Sequence, residues 1–566
     1  MFRGHIIRMT LLAGLLCTVG AGQLQAATLT GRVTNDKAEG ILGAMVTLSS
    51  SVGVGHSAYT DAQGNYTLQT DLSGELTIRA RKRYHSDALQ HLSLPVNADK
   101  TVDMSLAALT DPQALSDDHP SLSHFHLIDF DENEEGLFSR ANFARDCLTC
   151  HSLGNSFTRM PRSAESWRPS VQRMHGYLAS AEEGPIIERS RILAEGFNGQ
   201  LATSMPEVPT DPKLASANIY QWRLDNTVVP HDAEYDHNNG KIYMSEMFAG
   251  KILETDLDTG ETQHFKLPAD GEPPGGAFTR MGLPAPYGLT VARAPHSLAL
   301  GPDGKWYLTD SIGSAITTFD PKTRKFESFP AGEGTLYPHT VRVDAQGVVW
   351  FSIAFSNQIG RFDPATQEMK VIALPETPSL SIPGTTIPYG VAVSPVDGSV
   401  WYAKLSSDKI GRIDPETLAV EEFDSPVRAP RRQRFDKDGN LWVAGFSEGA
   451  IAKINVTDWD ATIYRLPNYA PGEIPAPYAL AINPANQDVW INDTMLDVVW
   501  RFIPSREHFV AYPMPLRGTY TRDFTFTDKG WACTSNNPIP AAALEGGTPE
   551  LICIDPGDQE VKLSGR

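Results

Sequence analysis

The chain has 566 residues, of which 41% are hydrophobic and 20% charged, with a formal net charge of −20. That length exceeds one ordinary core and implies several domains, and the apolar fraction excludes a disordered chain. The negative charge, with no basic stripe to offset it, argues against nucleic acid and anionic lipid as partners.

The first segment reads as a secretory signal: Arg3 and Arg8 precede an apolar stretch from Met9 to Val19 that is too short to span a bilayer. Cleavage after Ala26 would release the mature chain into the periplasm. Cys17 lies behind Leu15 and Leu16, where a lipoprotein anchor would need a small residue, so no lipid anchor is expected. No later stretch has the length and apolarity of a membrane span. Four cysteines then remain: Cys147, Cys150, Cys533 and Cys553.

Residues 27–109 alternate in strand fashion, with Leu29/Val33, Ala44/Val46/Leu48, Tyr66/Leu68 and Leu76/Ile78 between Gly, Asp and Asn turns. The D-x-x-G-x-Y run from Asp61 to Tyr66 resembles the carboxypeptidase regulatory-like domain. That resemblance implies a transthyretin-like β-sandwich serving as a spacer or docking module, without peptidase activity. Residues 110–135, rich in Asp, Glu, Ser and Pro, read as an acidic linker.

Cys147-Leu148-Thr149-Cys150-His151 has the C-x-x-C-H spacing by which two thiols bind one porphyrin and the following histidine supplies an axial nitrogen. One covalent haem c is therefore expected in an all-α cytochrome c domain over 136–215. Structural zinc would need further ligands nearby. Ser163 can cap a helix carrying Trp167, Val171, Met174 and Leu178 on one face, and Ile186, Ile187, Ile192 and Leu193 suggest a second. The stretch is similar to short cytochrome modules in which a W-x6-M helix follows the haem motif. This makes Met174 the preferred sixth iron ligand, with Met205 the alternative and His175 and Met160 behind.

From about residue 220 the chain repeats, in units such as "PHTVRVDAQGVVWFSIAFSNQIGRFDP" and "PYGVAVSPVDGSVWYAKLSSDKIGRIDP". Units start at Pro230, Pro295, Pro338, Pro388, Pro430, Pro477 and near Thr521. The spacing of about 40–65 residues suits four-stranded blades, so 220–566 is expected to form a seven-bladed β-propeller. The fold class is mainly β. The units resemble the virginiamycin B lyase (streptogramin lyase) family, which implies a Mg²⁺-assisted elimination carried by funnel histidines and a glutamate.

Aligning the units places two positions of each near the funnel. One follows the leading proline: His231, His296, His339, Tyr389, Arg431, Tyr478 and Arg522. The other lies three residues after the key aromatic of a strand: Glu246, Asp310, Ile353, Lys404, Gly445, Asp493 and Thr534. Glu246, His231, His296 and His339 are the candidate catalytic residues, and Glu246 with Asp310 could hold Mg²⁺ or Ca²⁺. Cys533 and Cys553 fall on consecutive strands of the last blade, where an oxidising compartment favours a disulfide.

Together these features favour a periplasmic haem protein that carries electrons to or from a small-molecule substrate or a redox partner at the propeller funnel. A metal-dependent lyase, and a redox docking or sensing scaffold without catalysis, are the alternatives.

Overall fold

The computed structural model describes residues 26–558, apart from 134, 178–179, 181, 207–209, 270, 287–288, 382–385, 538, 540–544 and 546–547. The signal segment with Cys17, and Leu178, lie outside the described residues. No helix among them is long and apolar enough to cross a membrane.

Six antiparallel four-stranded sheets follow one another from Pro230 to Pro513. Their inner strands, Pro230–Asp236, Pro295–Leu300, Pro338–Val343, Pro388–Val393, Pro430–Phe435 and Pro477–Ile482, stand side by side about one axis. The seventh blade has Thr525–Phe526, Ala532–Asn536 and Glu550–Asp555, and takes its fourth strand from the other side of the sequence, Asn218–Arg223. This closes the ring: the last inner strands meet the first blade, and Asn492 of blade 6 donates to Thr534 of blade 7 at 3.2 Å.

The repeat's residues have local reasons. In blade 3, Asp344 accepts the N–H groups of Gln346 and Val348, each at 2.9 Å, and its second oxygen accepts the Trp350 indole N–H. Asp436 does the same for Asp438, Asn440 and the Trp442 indole. The carboxylate thus shapes the turn and anchors the buried tryptophan. Gly360 and Gly411 lie beneath Phe351 and Tyr402, whose rings leave 2.1 and 2.0 Å for a Cβ, so only glycine fits there.

Residues 27–109 form two sheets around an apolar core that includes Leu29, Val46, Leu68 and Ile78. Besides the expected strands, Val54–Tyr59 and Ala88–Leu94 complete one sheet. The domain is not a free spacer. Val54–Tyr59 pairs antiparallel with Asn218–Arg223, from Val54↔Trp222 to Ala58↔Asn218, so sandwich and seventh blade share one eight-stranded sheet.

Among the described residues, five α-helices lie between the two β parts: α1 (Pro112–Asp118), α2 (Ser121–His126), α3 (Arg140–Cys147), α4 (Ala164–Tyr177) and α5 (Glu183–Gly196). The stretch expected as a solvated linker therefore contributes α1 and α2. Their burial follows from Leu122, Phe125 and Ile128, which pack into the core despite the acidic neighbours. A separate all-α cytochrome domain is not evident. Phe143, Trp167 and Ile192 belong to one apolar cluster with propeller residues such as Tyr478 and Leu496, because the helices lie against the propeller face.

Candidate functional site

The strand architecture fixes what faces the axis. In the six complete blades the leading proline opposes the last residue of the second strand, as Pro230↔Glu246 and Pro338↔Ile353, and the ladder shifts immediately afterwards. A bulge at this point frees the next side chain from strict alternation and re-aims it. The residues after the prolines accordingly form a buried circle. The rings of His231 and His296 are 3.8 Å apart, His296 and His339 3.9 Å, and His339 and Tyr389 3.9 Å. The Arg431 guanidinium lies 4.4 Å from the Tyr389 ring centroid and 3.9 Å from that of Tyr478. Arg522 donates to the Tyr478 oxygen at 2.8 Å and to His231 Nε2 at 3.0 Å, completing the circle.

The three histidines are not equivalent. His231 donates from Nδ1 to Asp232 at 2.9 Å while its Nε2 accepts from Arg522, so both nitrogens are engaged. Burial, then the neighbouring Arg522, lowers its pKa to about 3 and keeps it neutral. In this arrangement neither ring nitrogen of His231 is open to a ligand. Burial likewise holds His296 and His339 neutral. His339 Nδ1 pairs with the Thr340 hydroxyl at 2.9 Å, and His296 Nδ1 is buried without a partner.

Beneath the circle lies a charge network that the repeat pattern did not reveal. Arg432 donates to Asp232 at 2.7 and 2.9 Å and to Asp523 at 2.7 Å, and Asp523 also pairs with Arg434 and with Arg342. Arg432, Asp232 and Asp523 are all buried. The available signal was the residue after each funnel position, Asp232 in "PHD", Arg432 in "PRR" and Asp523 in "RDF".

The C-x-x-C-H segment roofs the funnel, and axis residues hold its backbone. Arg431 donates to the Thr149 carbonyl at 3.0 Å, Tyr520 to those of Leu148 and Thr149 at 2.6 and 2.9 Å, and Arg522 to that of Cys150 at 3.2 Å. Outer clamps add Arg145 on Asp408, twice at 2.8 Å, and the buried Arg189–Asp146 pair. Two cavities flank this segment. One, of about 180 Å³, is shared by Cys150, His151 and Met174 with His231, His296 and His339. The other, of about 100 Å³, lies between Cys147, Cys150, His151 and the α4 residues Trp167, Met174 and His175.

This donor set suits a covalently held haem. Neither thiol is in a disulfide, and His151 donates from Nδ1 to the Ser152 carbonyl at 3.0 Å, which leaves Nε2 as the nitrogen to ligate a metal. Burial raises the Cys147 thiol to about 11. Ser163 caps α4 as expected, accepting from the Ser166 N–H, and α4 brings both Met174 and His175 to the cavity. His175 is buried, and neither ring nitrogen is hydrogen-bonded to a described residue. Met205 is 53% exposed and Met160 is also exposed, and neither lines either cavity.

The second funnel position is placed differently from expectation. Glu246 accepts from the N–H groups of Val228, Val229 and Ala249 at 3.1, 2.8 and 2.7 Å. Asp310 accepts from Ala294 and Gly313 and pairs with Arg293 at 3.0 Å. These carboxylates latch loops at strand ends and line neither funnel cavity. No group of three or more His, Cys, Asp or Glu side chains among the described residues could hold a metal ion. Cys533 and Cys553 oppose each other on neighbouring strands of blade 7 and form a disulfide.

Comparison with known proteins agrees with this architecture. The virginiamycin B lyase family profile matches residues 287–531, and the carboxypeptidase regulatory-like domain profile matches residues 28–107. No curated protein matches the chain. Among solved structures, virginiamycin B lyase from Staphylococcus aureus is 18% identical, covers 59% of this chain and 99% of its own, and has a TM-score of 0.47. A streptogramin B lyase is 18% identical over 60% of this chain and 98% of its own, with a TM-score of 0.48. Hydrazine synthase from Kuenenia stuttgartiensis is 13% identical over 56% and 96%, with a TM-score of 0.41. The chain thus joins a carboxypeptidase regulatory-like N-terminal domain to a virginiamycin B lyase-like propeller.

Proposed function

We propose that the protein is an exported c-type haem protein that carries electrons to or from a small molecule bound in the propeller funnel. The observation that supports this best is that Cys150, His151 and Met174 line the same cavity as His231, His296 and His339. A redox group held by Cys147, Cys150 and His151 would then be part of the funnel site rather than a distant module. Bound there, the haem would take up or release one electron at a time. The protein's own residues would orient the ligand on a neutral imidazole and tyrosine floor, and Arg431, Tyr520 and Arg522 would fix the roof. Met174 or His175 would complete the iron coordination. Periplasmic export is part of the same reading, since the N-terminal pattern, the covalent haem motif and the disulfide all suit an oxidising compartment. A periplasmic redox protein would be the electron partner.

The test is purification from a host that matures c-type haem. Haem that stays with the chain under denaturing extraction, and is lost in C147A/C150A, is expected; a haem-free protein with free thiols would refute the reading. The lyase alternative has less support, because three N–H donors already occupy the Glu246 carboxylate. Turnover of a cyclic ester that EDTA abolishes and C147A/C150A retains would favour it. A docking or sensing scaffold would instead show partner affinity and haem behaviour unaffected by H296A/H339A.

A further inference from the structure

Arg431 and Arg522 are buried, and among the described residues neither makes an ion pair with a carboxylate. Arg432 beside them is neutralised by Asp232 and Asp523, so the upper circle carries two uncompensated positive charges. Such charges are costly unless an anion accompanies them.

The tyrosines between these cations have an unusual hydrogen-bond inventory. Tyr389 accepts from Arg431 at 2.6 Å, and Tyr478 accepts from Arg522 at 2.8 Å. The two hydroxyls meet at 2.8 Å. Each tyrosine brings one proton, yet the pair offers only one O–H···O bond, and no other described group accepts from either. Tyr520 differs: its proton goes to the Leu148 and Thr149 carbonyls. The groups facing Tyr478 are Tyr389, Tyr520, Arg431, Arg432 and Arg522, with His231 behind Arg522 and His339 against Tyr389. No carboxylate is among them.

The cavity above this pair is lined by Met247, Phe248, Tyr337, Phe355, Ile387 and Leu405. Its volume of about 180 Å³ suits one small ring, since an apolar void of about 150 Å³ takes benzene.

We propose that the cavity binds a small phenol whose hydroxyl gives its proton to an ionised Tyr478, the Tyr389–Tyr478 pair holding a single proton in the resting protein. This rests on the reading of the funnel as a ligand site and names the ligand's class. In the step, the ligand O–H bond breaks, the proton joins the Tyr478 oxygen, and the electron pair stays on the ligand oxygen. The negative charge moves from Tyr478 to the ligand and remains beside Arg431 and Arg522, so the transfer leaves the net charge of the circle unchanged. Burial opposes ionisation of Tyr478, but Arg522, Arg431 and Arg432 outweigh it and bring the group below the ordinary tyrosine value; burial pushes Tyr389 the other way.

Two measurements on the purified full-length protein test this. Near-ultraviolet difference spectra at pH 7, native against guanidinium-unfolded wild type and wild type against Y478F, should each show one tyrosinate. Their absence, with Tyr478 titrating alongside ordinary tyrosines, would overturn the proposal and place the compensating anion elsewhere, on the haem itself for example. Calorimetric titration should show phenol binding at least about tenfold tighter than toluene, with the difference lost in Y478F. Equal affinity for phenol and toluene in wild type would also overturn it. The native-against-unfolded spectrum needs no variant, so a misfolded Y478F leaves the question decidable. A tyrosinate in a protein without covalent haem would sink the redox reading and leave this one standing; covalent haem without a tyrosinate would do the reverse.

Discussion

Arg432 sits with no exposed surface between Asp232 and Asp523, and its removal would leave two buried carboxylates with weaker or no partners. R432M is expected to cost about 3–5 kcal/mol, read as a lower denaturant midpoint at unchanged slope. A loss under 1 kcal/mol would show that water reaches the network. This network was not legible in the repeat, because its arginines and aspartates pair across blades that are distant in sequence. The first funnel position was legible because each leading proline marks the register and the bulge follows it. The second was misread because a strand-end carboxylate looks the same in sequence whether it faces an axis or caps a loop. At Glu246 the deciding partners, Val228 and Val229, precede the blade.

Among the elements, the strand Asn218–Arg223 has the most consequence, because it closes blade 7 and also carries the sandwich. Deleting residues 27–109 would expose its edge, and such edges recruit other chains. The truncated protein should therefore self-associate in a concentration-dependent manner in size-exclusion chromatography; a monomer of unchanged stability would contradict the shared sheet. His56 reports on the same seam, hydrogen-bonded to Asn218 at 3.0 Å and stacked on Tyr220. Burial lowers its pKa to about 4 against an ordinary 6.5. Between these values the unfolded chain binds the proton and the native one does not, so wild type loses stability as pH falls. Relative to H56Q, the loss should approach about 1.4 kcal/mol per pH unit from pH 6.5 down to 4, measured by urea unfolding. Within blade 7, the Cys533–Cys553 bridge spans 20 residues, and C533S/C553S should cost about 3 kcal/mol. The strands of the blades were readable from alternation and turn residues. The helices α1 and α2 were not, since their acidic, proline-containing sequence masks Leu122, Phe125 and Ile128, and only docking on the propeller buries these.

For the molecule as a whole, the arrangement that matters is the helical layer lying across the propeller axis, which puts the C-x-x-C-H segment and the histidine–tyrosine circle on either side of one cavity. The sandwich and the propeller were legible as separate patterns, but the docking of a helical layer across the propeller was not, because no sequence periodicity records which face of a ring a neighbouring layer covers. The most direct test is to titrate phenol into the purified, oxidised protein while following its visible absorption. The reading expects covalent haem whose spectrum shifts saturably with phenol, and no such shift when A354W fills the shared cavity. A protein without covalent haem, or haem whose spectrum ignores both the ligand and the filled cavity, would contradict it.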